Sequence, residues 1–106
     1  MIELEWQEQD GYGFYKASVS VTGGNTSDYV KMNFNTETSV AVYPDNRARC
    51  EFTISPIASV EAGTATWIPW PRGNVRRDTA DTLIGVASAV RLVSVSGAAT
   101  MEVLAK

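Results

Sequence analysis

Hydrophobic and polar residues alternate along most of this chain, in short runs separated by turn-forming residues. Residues 14–22 place apolar side chains at odd positions, with Lys16, Ser18 and Ser20 between them. Residues 47–55 place apolar side chains at even positions, against Arg, Glu and Thr. A period of two is the pattern of a strand with one buried face. Gly, Pro, Asn or Asp interrupts the runs about every eight to twelve residues, which is typical of a β-sandwich or barrel.

We therefore predict an all-β fold, a single antiparallel β-sandwich or jelly-roll-like domain that covers residues 1–106. One short helical turn is expected over 56–63, stopped by Gly63, and a closing hairpin over 88–95 and 100–105. The alternation assigns these residues to the core: Val19, Val21, Val30, Met32, Phe34, Val40, Val42, Cys50, Phe52, Ile54, Val90 and Leu92.

The chemistry available to the chain is narrow. It has no histidine, and its one cysteine, Cys50, sits in a strand-like run where a buried thiol is expected. Without histidine there is no Ser-His-Asp or Cys-His arrangement and no common zinc site. Asp78 and Asp81 beside Arg76 and Arg77 are interpreted as turn and ion-pair residues. We expect no catalytic residues, no metal, no cofactor and no enzymatic activity.

Charge is unevenly distributed along the sequence. Residues 1–46 carry seven acids and two bases, whereas residues 47–106 carry seven bases and five acids. The overall charge of −3 gives no reason to expect a nucleic-acid partner. The acidic start does not resemble a signal peptide, and no apolar run reaches the length of a membrane span. We therefore expect a protein made in the cytoplasm, with no membrane partner, whose halves permit head-to-tail contact between copies.

One segment stands out as a candidate contact surface. Trp67, Ile68 and Trp70 lie among prolines, and Arg72, Arg76 and Arg77 follow. The aromatic residues predict an exposed surface for a partner protein or a sugar, or alternatively a plug for one end of the sandwich. The arginines predict a docking loop for an acidic partner, or alternatively a solvated loop.

The run GTATWIPWPRGNV over residues 63–75 carries a resemblance to a known group of proteins. With the strand over 88–97 and the closing run over 100–105, the stretch from Ser59 to Leu104 resembles small virion proteins of tailed bacteriophages. The resemblance covers about the C-terminal half and includes no catalytic motif. It implies a capsid decoration (cement) protein, located in the virion and made in the host bacterial cytoplasm.

The expected function is to decorate and stabilise the capsid by binding the major capsid protein lattice or other virion proteins. Self-association is expected, with a trimer preferred, because complementary charged halves satisfy each other in a closed ring. The alternative is a tail, connector or appendage module that binds a glycan or receptor.

Overall fold

A computed structural model of the chain describes residues 1–33, 35, 37–83 and 85–106. These residues form ten strands and one short helix. The strands are β1 (Ile2–Glu3), β2 (Glu5–Gln9), β3 (Tyr12–Val21), β4 (Val30–Lys31), β5 (Thr38–Pro44), β6 (Arg47–Thr53), β7 (Ile68–Pro69), β8 (Thr79–Leu83), β9 (Ala89–Ser96) and β10 (Ala99–Ala105), and the helix is α1 (Ile57–Ala62). No helix among the described residues has the length and apolar character needed to cross a membrane.

The strands form two five-stranded sheets, ordered β1-β4-β9-β6-β7 and β2-β3-β10-β5-β8. From β3 onward, consecutive strands mostly belong to alternate sheets. The eight strands β3 to β10 thus take the orders β3-β10-β5-β8 and β4-β9-β6-β7, the two interlocked Greek keys of a jelly roll. The prediction of an all-β sandwich is confirmed.

The core lies between the inner faces of the sheets. Cys50 stands opposite Leu92, and Val42 opposite Met101, all fully buried. Strand β10 is the centre of its sheet, pairing with β3 on one side and β5 on the other over seven residues each. The period-two pattern of the sequence corresponds to this inner face. Of the predicted core residues, Val19, Val21 and Phe52 are partly buried against it, and Phe34 lies outside the described residues.

Ile54 corrects the predicted parity of residues 47–55, because its side chain is 69% exposed. Strand β6 ends at Thr53, so Ile54 is already leaving the sheet toward the turn at Ser55. The opposite face of β6, predicted to be solvated, is also covered, and Glu51 and Thr53 are both buried. Alternation predicts which way each side chain of the strand points. It does not predict where the strand ends or which residues cover its outer face.

Within the aromatic–proline segment, residues 67–77, the expectation that Trp70 lies on an exposed surface is wrong, because Trp70 belongs to the core. It is 2% exposed, and its backbone N–H donates to the Cys50 carbonyl at 3.0 Å. The segment thus continues along the open side of β6 after β7. Alternate N–H groups of an edge segment point away from the sheet, so Pro69 and Pro71 on either side of Trp70 cost no ladder bond. The Trp70 side chain is then directed inward.

Replacing Trp70 with Ala is expected to lower the free energy of unfolding by about 3–5 kcal/mol, because it removes a large side chain from a packed core. Urea unfolding followed by circular dichroism measures the change. Ile68→Ala, two residues earlier and exposed, is the matched control and should cost less than about 1 kcal/mol. Equal costs for the two substitutions would contradict the placement of Trp70 in the core.

Candidate protein-interaction surface

The aromatic–proline segment, residues 67–77, distributes its side chains among three environments. Trp70 points into the core, where its Nε1 donates to the Gly73 carbonyl at 2.6 Å. Gly73 has a φ of 61° and donates its own N–H to the Trp70 carbonyl, so a tight turn closes directly behind the indole. Trp67 lies on the outer face of the sheet, and Ile68 is exposed at its edge. The predicted aromatic group therefore does not form one surface.

Trp67 takes part in a charged cluster on the outer face. The Arg91 guanidinium lies 4.2 Å from the centre of the Trp67 ring, within the range of a cation–π contact. Arg91 also donates to Glu51 Oε1 at 2.7–2.8 Å, and Arg49 donates to Glu51 Oε2 at 2.9 Å. Glu51 and Arg91 are directly opposite on neighbouring strands. This cluster could not be identified from the sequence, because Trp67 and Arg91 are far along the chain from Arg49 and Glu51.

The environment of Glu51 keeps its carboxyl ionised. Burial by itself raises the pKa of this carboxyl, but the hydrogen bonds and charges of Arg91 and Arg49 outweigh that effect and hold the pKa below its usual value. Glu51 is paired with both arginines, and the cluster keeps a net charge of +1. Arg49 donates further to Asn74 Oδ1 at 3.2 Å, which connects the aromatic–proline segment to the outer face. The cluster is best explained as support for this segment.

The predicted arginines differ in their partners. Arg72 donates to Asp81 Oδ2 at 3.2 Å, which joins the segment to strand β8 of the other sheet. Arg76 and Arg77 are exposed, and within the described ranges neither makes an ion pair. Of the three predicted arginines, Arg72 is exposed but paired within the domain, and Arg76 and Arg77 are exposed without an ion pair among the described residues.

An apolar cavity of about 350 Å³ opens beside Arg72, between the two sheets. Phe52, Pro71 and Leu83 form much of its wall, and the exposed side chains of Ile54 and Val86 flank it. We call this cavity, together with Arg76 and Arg77, which come just before β8 in the chain, the acceptor edge. It lies along β7 and β8, the last strands of the two sheets on this side of the sandwich.

The opposite side of the sandwich carries an exposed hairpin that the sequence did not single out. Strands β2 and β3 pair from Glu5 to Lys16, and Asp10 and Gly11 form the turn with positive φ at both residues. Strand β10 covers β3 only from Tyr15 onward. We call residues 5–14 the arm. Its residues 7–14 extend past the end of β10, and all five residues of β2 are exposed.

Trp6 is the largest side chain of the arm and is held in place although 57% of it is exposed. Its ring lies across Gly13 so closely that a Cβ there would be 2.0 Å from the indole. Tyr15 meets the ring edge-on, at 5.0 Å between centroids. Tyr12, which is 74% exposed, lies near the turn on the opposite face of the hairpin. In the sequence, Trp6 follows the parity of Ile2 and Leu4, and only the topology shows that no sheet covers it.

The described residues give no positive indication of catalysis. Burial, and secondarily the charge of Glu51, raises the pKa of the Cys50 thiol to about 12, which leaves no thiolate at neutral pH. Across the described ranges, no three His, Cys, Asp or Glu side chains come together as a metal site. What the structure presents instead is two exposed edges.

No known family model and no curated protein matches this sequence. Solved structures resemble it in fold. An oxalate oxidase aligns over 87% of this chain with 16% identity and a TM-score of 0.52, and this chain spans only 41% of the oxidase chain. At such low identity the likeness shows a shared fold alone.

Two weaker likenesses have TM-scores below 0.5. Protein NMB1881 from Neisseria meningitidis aligns over 96% of this chain and 80% of its own, with 9% identity and a TM-score of 0.42. The capsular polysaccharide assembling protein CapF from Staphylococcus aureus aligns over 96% of this chain and 30% of its own, with 8% identity and a TM-score of 0.48. They carry no argument about function.

Glu51→Gln is expected to destabilise the fold by about 2–3 kcal/mol at pH 7, since it leaves Arg49 and Arg91 without their counter-charge. The folded-state pKa of Glu51 is depressed, so its stabilisation is complete above the unfolded pKa, about 4.3, and is lost as pH falls through the folded value. The difference between wild type and variant should therefore shrink below about pH 4.

Urea titrations at pH 7 and pH 3 measure this difference, with Glu61→Gln on the exposed side of α1 as the control. A destabilisation that stays the same at both pH values would contradict an ionic role for Glu51.

Proposed function

We propose that this chain is a non-enzymatic bacteriophage virion structural protein that decorates and stabilises the capsid by binding the major capsid protein lattice. The observation that carries the proposal is the arm, whose strand β2 is exposed at all five residues and presents Trp6 to solvent. An exposed edge strand with a large aromatic side chain is a liability for an isolated domain. It is explained if the edge is covered in an assembly.

Two further features support the proposal. The C-terminal half resembles small tailed-phage virion proteins, on the run over 63–75 and the two strands that follow. The jelly roll is also a common architecture of viral capsid domains, although this is support by fold analogy, since one fold carries many functions. Ile68, Arg76 and Arg77 remain available for contact, whereas Trp70 acts from inside the core.

Stabilisation of the shell follows from mass action. A ligand that binds only the assembled lattice stabilises it by about 2.7 kcal/mol per site when present at a hundredfold excess over its Kd. Because a lattice repeats the same site, modest affinity at each contact adds up over the particle. The protein needs no chemistry for this function, only a rigid domain with exposed anchors.

A tail, connector or appendage module that contacts a glycan or receptor is the second candidate. The observation that favours it is the exposure of Trp6 and Tyr12 on the two faces of the arm, since aromatic rings are suited to amphipathic contacts. In this case the arm would face the host rather than the shell.

The location and abundance of the chain on the parent particle test the proposal. A cryo-EM reconstruction should show the domain at equivalent lattice positions over the whole head, and particles stripped of it should rebind it in a saturable manner. Density restricted to the tail or to one vertex would contradict decoration and support the second candidate. Absence from purified particles would contradict both.

A further inference from the structure

The two exposed edges of this domain are on opposite sides and have opposite chemical character. Strand β2 ends one sheet and β8 ends it on the other side. Residues 1–11 carry four acids and no lysine or arginine, whereas Arg76 and Arg77 lie just before β8. The arm has an exposed aromatic anchor, Trp6, whose ring lies over Gly13, and the acceptor edge has an apolar cavity. Each edge therefore provides what the other lacks.

We infer that the arm of one copy docks onto the acceptor edge of a second copy, with the exposed face of the Trp6 ring against the cavity flanked by Ile54 and Val86. Glu8 lies on the same face of the hairpin as Trp6, and Asp10 lies at the tip. These acids then approach Arg76 and Arg77 of the neighbouring chain. The contact joins two different surfaces, so it generates a ring or an open chain of copies rather than a two-fold dimer.

The arrangement of features along each edge supports this occupant. On the face of the arm that carries Trp6, Glu8 follows toward the tip and Asp10 lies in the turn, whereas Glu5 lies on the opposite face. On the acceptor edge, the cavity lies toward the Leu83 end of β8, and its one carboxylate, Asp81, is paired with Arg72. Arg76 and Arg77, followed by Asp78, give the Thr79 end a net positive charge, which the acids of the arm meet when the two edges lie side by side.

Preorganisation of Trp6 makes it suitable as an anchor. Gly13 and Tyr15 already fix its ring, so docking loses little of its conformational freedom. Buried Trp residues at the centre of an interface are the most frequent hot spots, with acidic and basic residues around them setting orientation. The inference rests on the self-association expected of the proposed virion protein but does not depend on a capsid.

Mixing two complementary variants tests the inference. Trp6→Ala removes the anchor and leaves the acceptor edge intact, whereas the double variant Ile54→Asp/Val86→Asp spoils the cavity and leaves the arm intact. Each alone should associate at least about tenfold more weakly than wild type in sedimentation velocity. Their equimolar mixture should form a species of twice the 11.5 kDa chain mass and nothing larger, since only one matched pair of edges remains.

A second pair of variants leaves Trp6 in place. Glu8→Lys alone and Arg76→Glu/Arg77→Glu alone should each weaken association, and mixing them should restore it through the reversed charges. Tyr43→Ala and Val95→Asp, at exposed positions on interior strands, are the controls and should sediment as wild type. Thermal melting of every variant confirms that the domain is folded.

Mixtures that sediment as single chains, or a Trp6→Ala variant that associates like wild type, would overturn the inference. So would a wild-type chain that stays monomeric at every concentration reached. None of these results bears on binding to the particle, which is measured separately. A chain that assembles through the arm but does not bind the particle would instead overturn the decoration proposal and leave this contact standing.

Discussion

The burial of Trp70 is the constraint on which the accessible surface of this protein depends. Its indole fills the end of the core beside β6, and its backbone N–H continues the hydrogen bonding of β6 past β7. The chain on either side of it therefore has no freedom to move away from the sheet. Arg72 then reaches Asp81 on the other sheet, and this ion pair connects the aromatic–proline segment to a residue of the cavity wall.

The alternation of the sequence predicted the sandwich and most of its inner face, because burial between two sheets imposes a period of two on every central strand. Val40, Val42, Cys50 and Leu92 follow it without exception. Ile54 and Glu51 do not, since the end of β6 and the cover on its outer face depend on residues distant in the chain. Trp70 was misplaced for a related reason. The two flanking prolines correctly indicate an edge segment. The side chain of an edge residue can nevertheless point toward the core, as that of Trp70 does.

The arm shows a different limit of sequence reasoning. Trp6 has the spacing of a core residue, but it is exposed on β2, the outermost strand of its sheet. The order of strands in a sheet cannot be predicted from alternation, so the exposure of Trp6 on an edge strand could not be predicted from the sequence. The uneven charge of the two halves was visible in the sequence. In the fold, the acids of the arm and the basic Arg76 and Arg77 lie at opposite edges of the domain. The exposed Trp6, the acids of the arm and the basic residues before β8 are the features on which the proposed contact between copies rests.

Hydrogen exchange measured across the range of protein concentrations that spans association tests this account most directly. Strand β2 forms hydrogen bonds on one side only, so its amides should exchange rapidly in the dilute chain. The account predicts that amides of residues 5–9 and of the cavity wall at 82–83 and 85–87 become protected together as concentration rises, while the interior strands β9 and β10 stay protected throughout. Unchanged exchange in the arm, with association occurring through other residues, would contradict it.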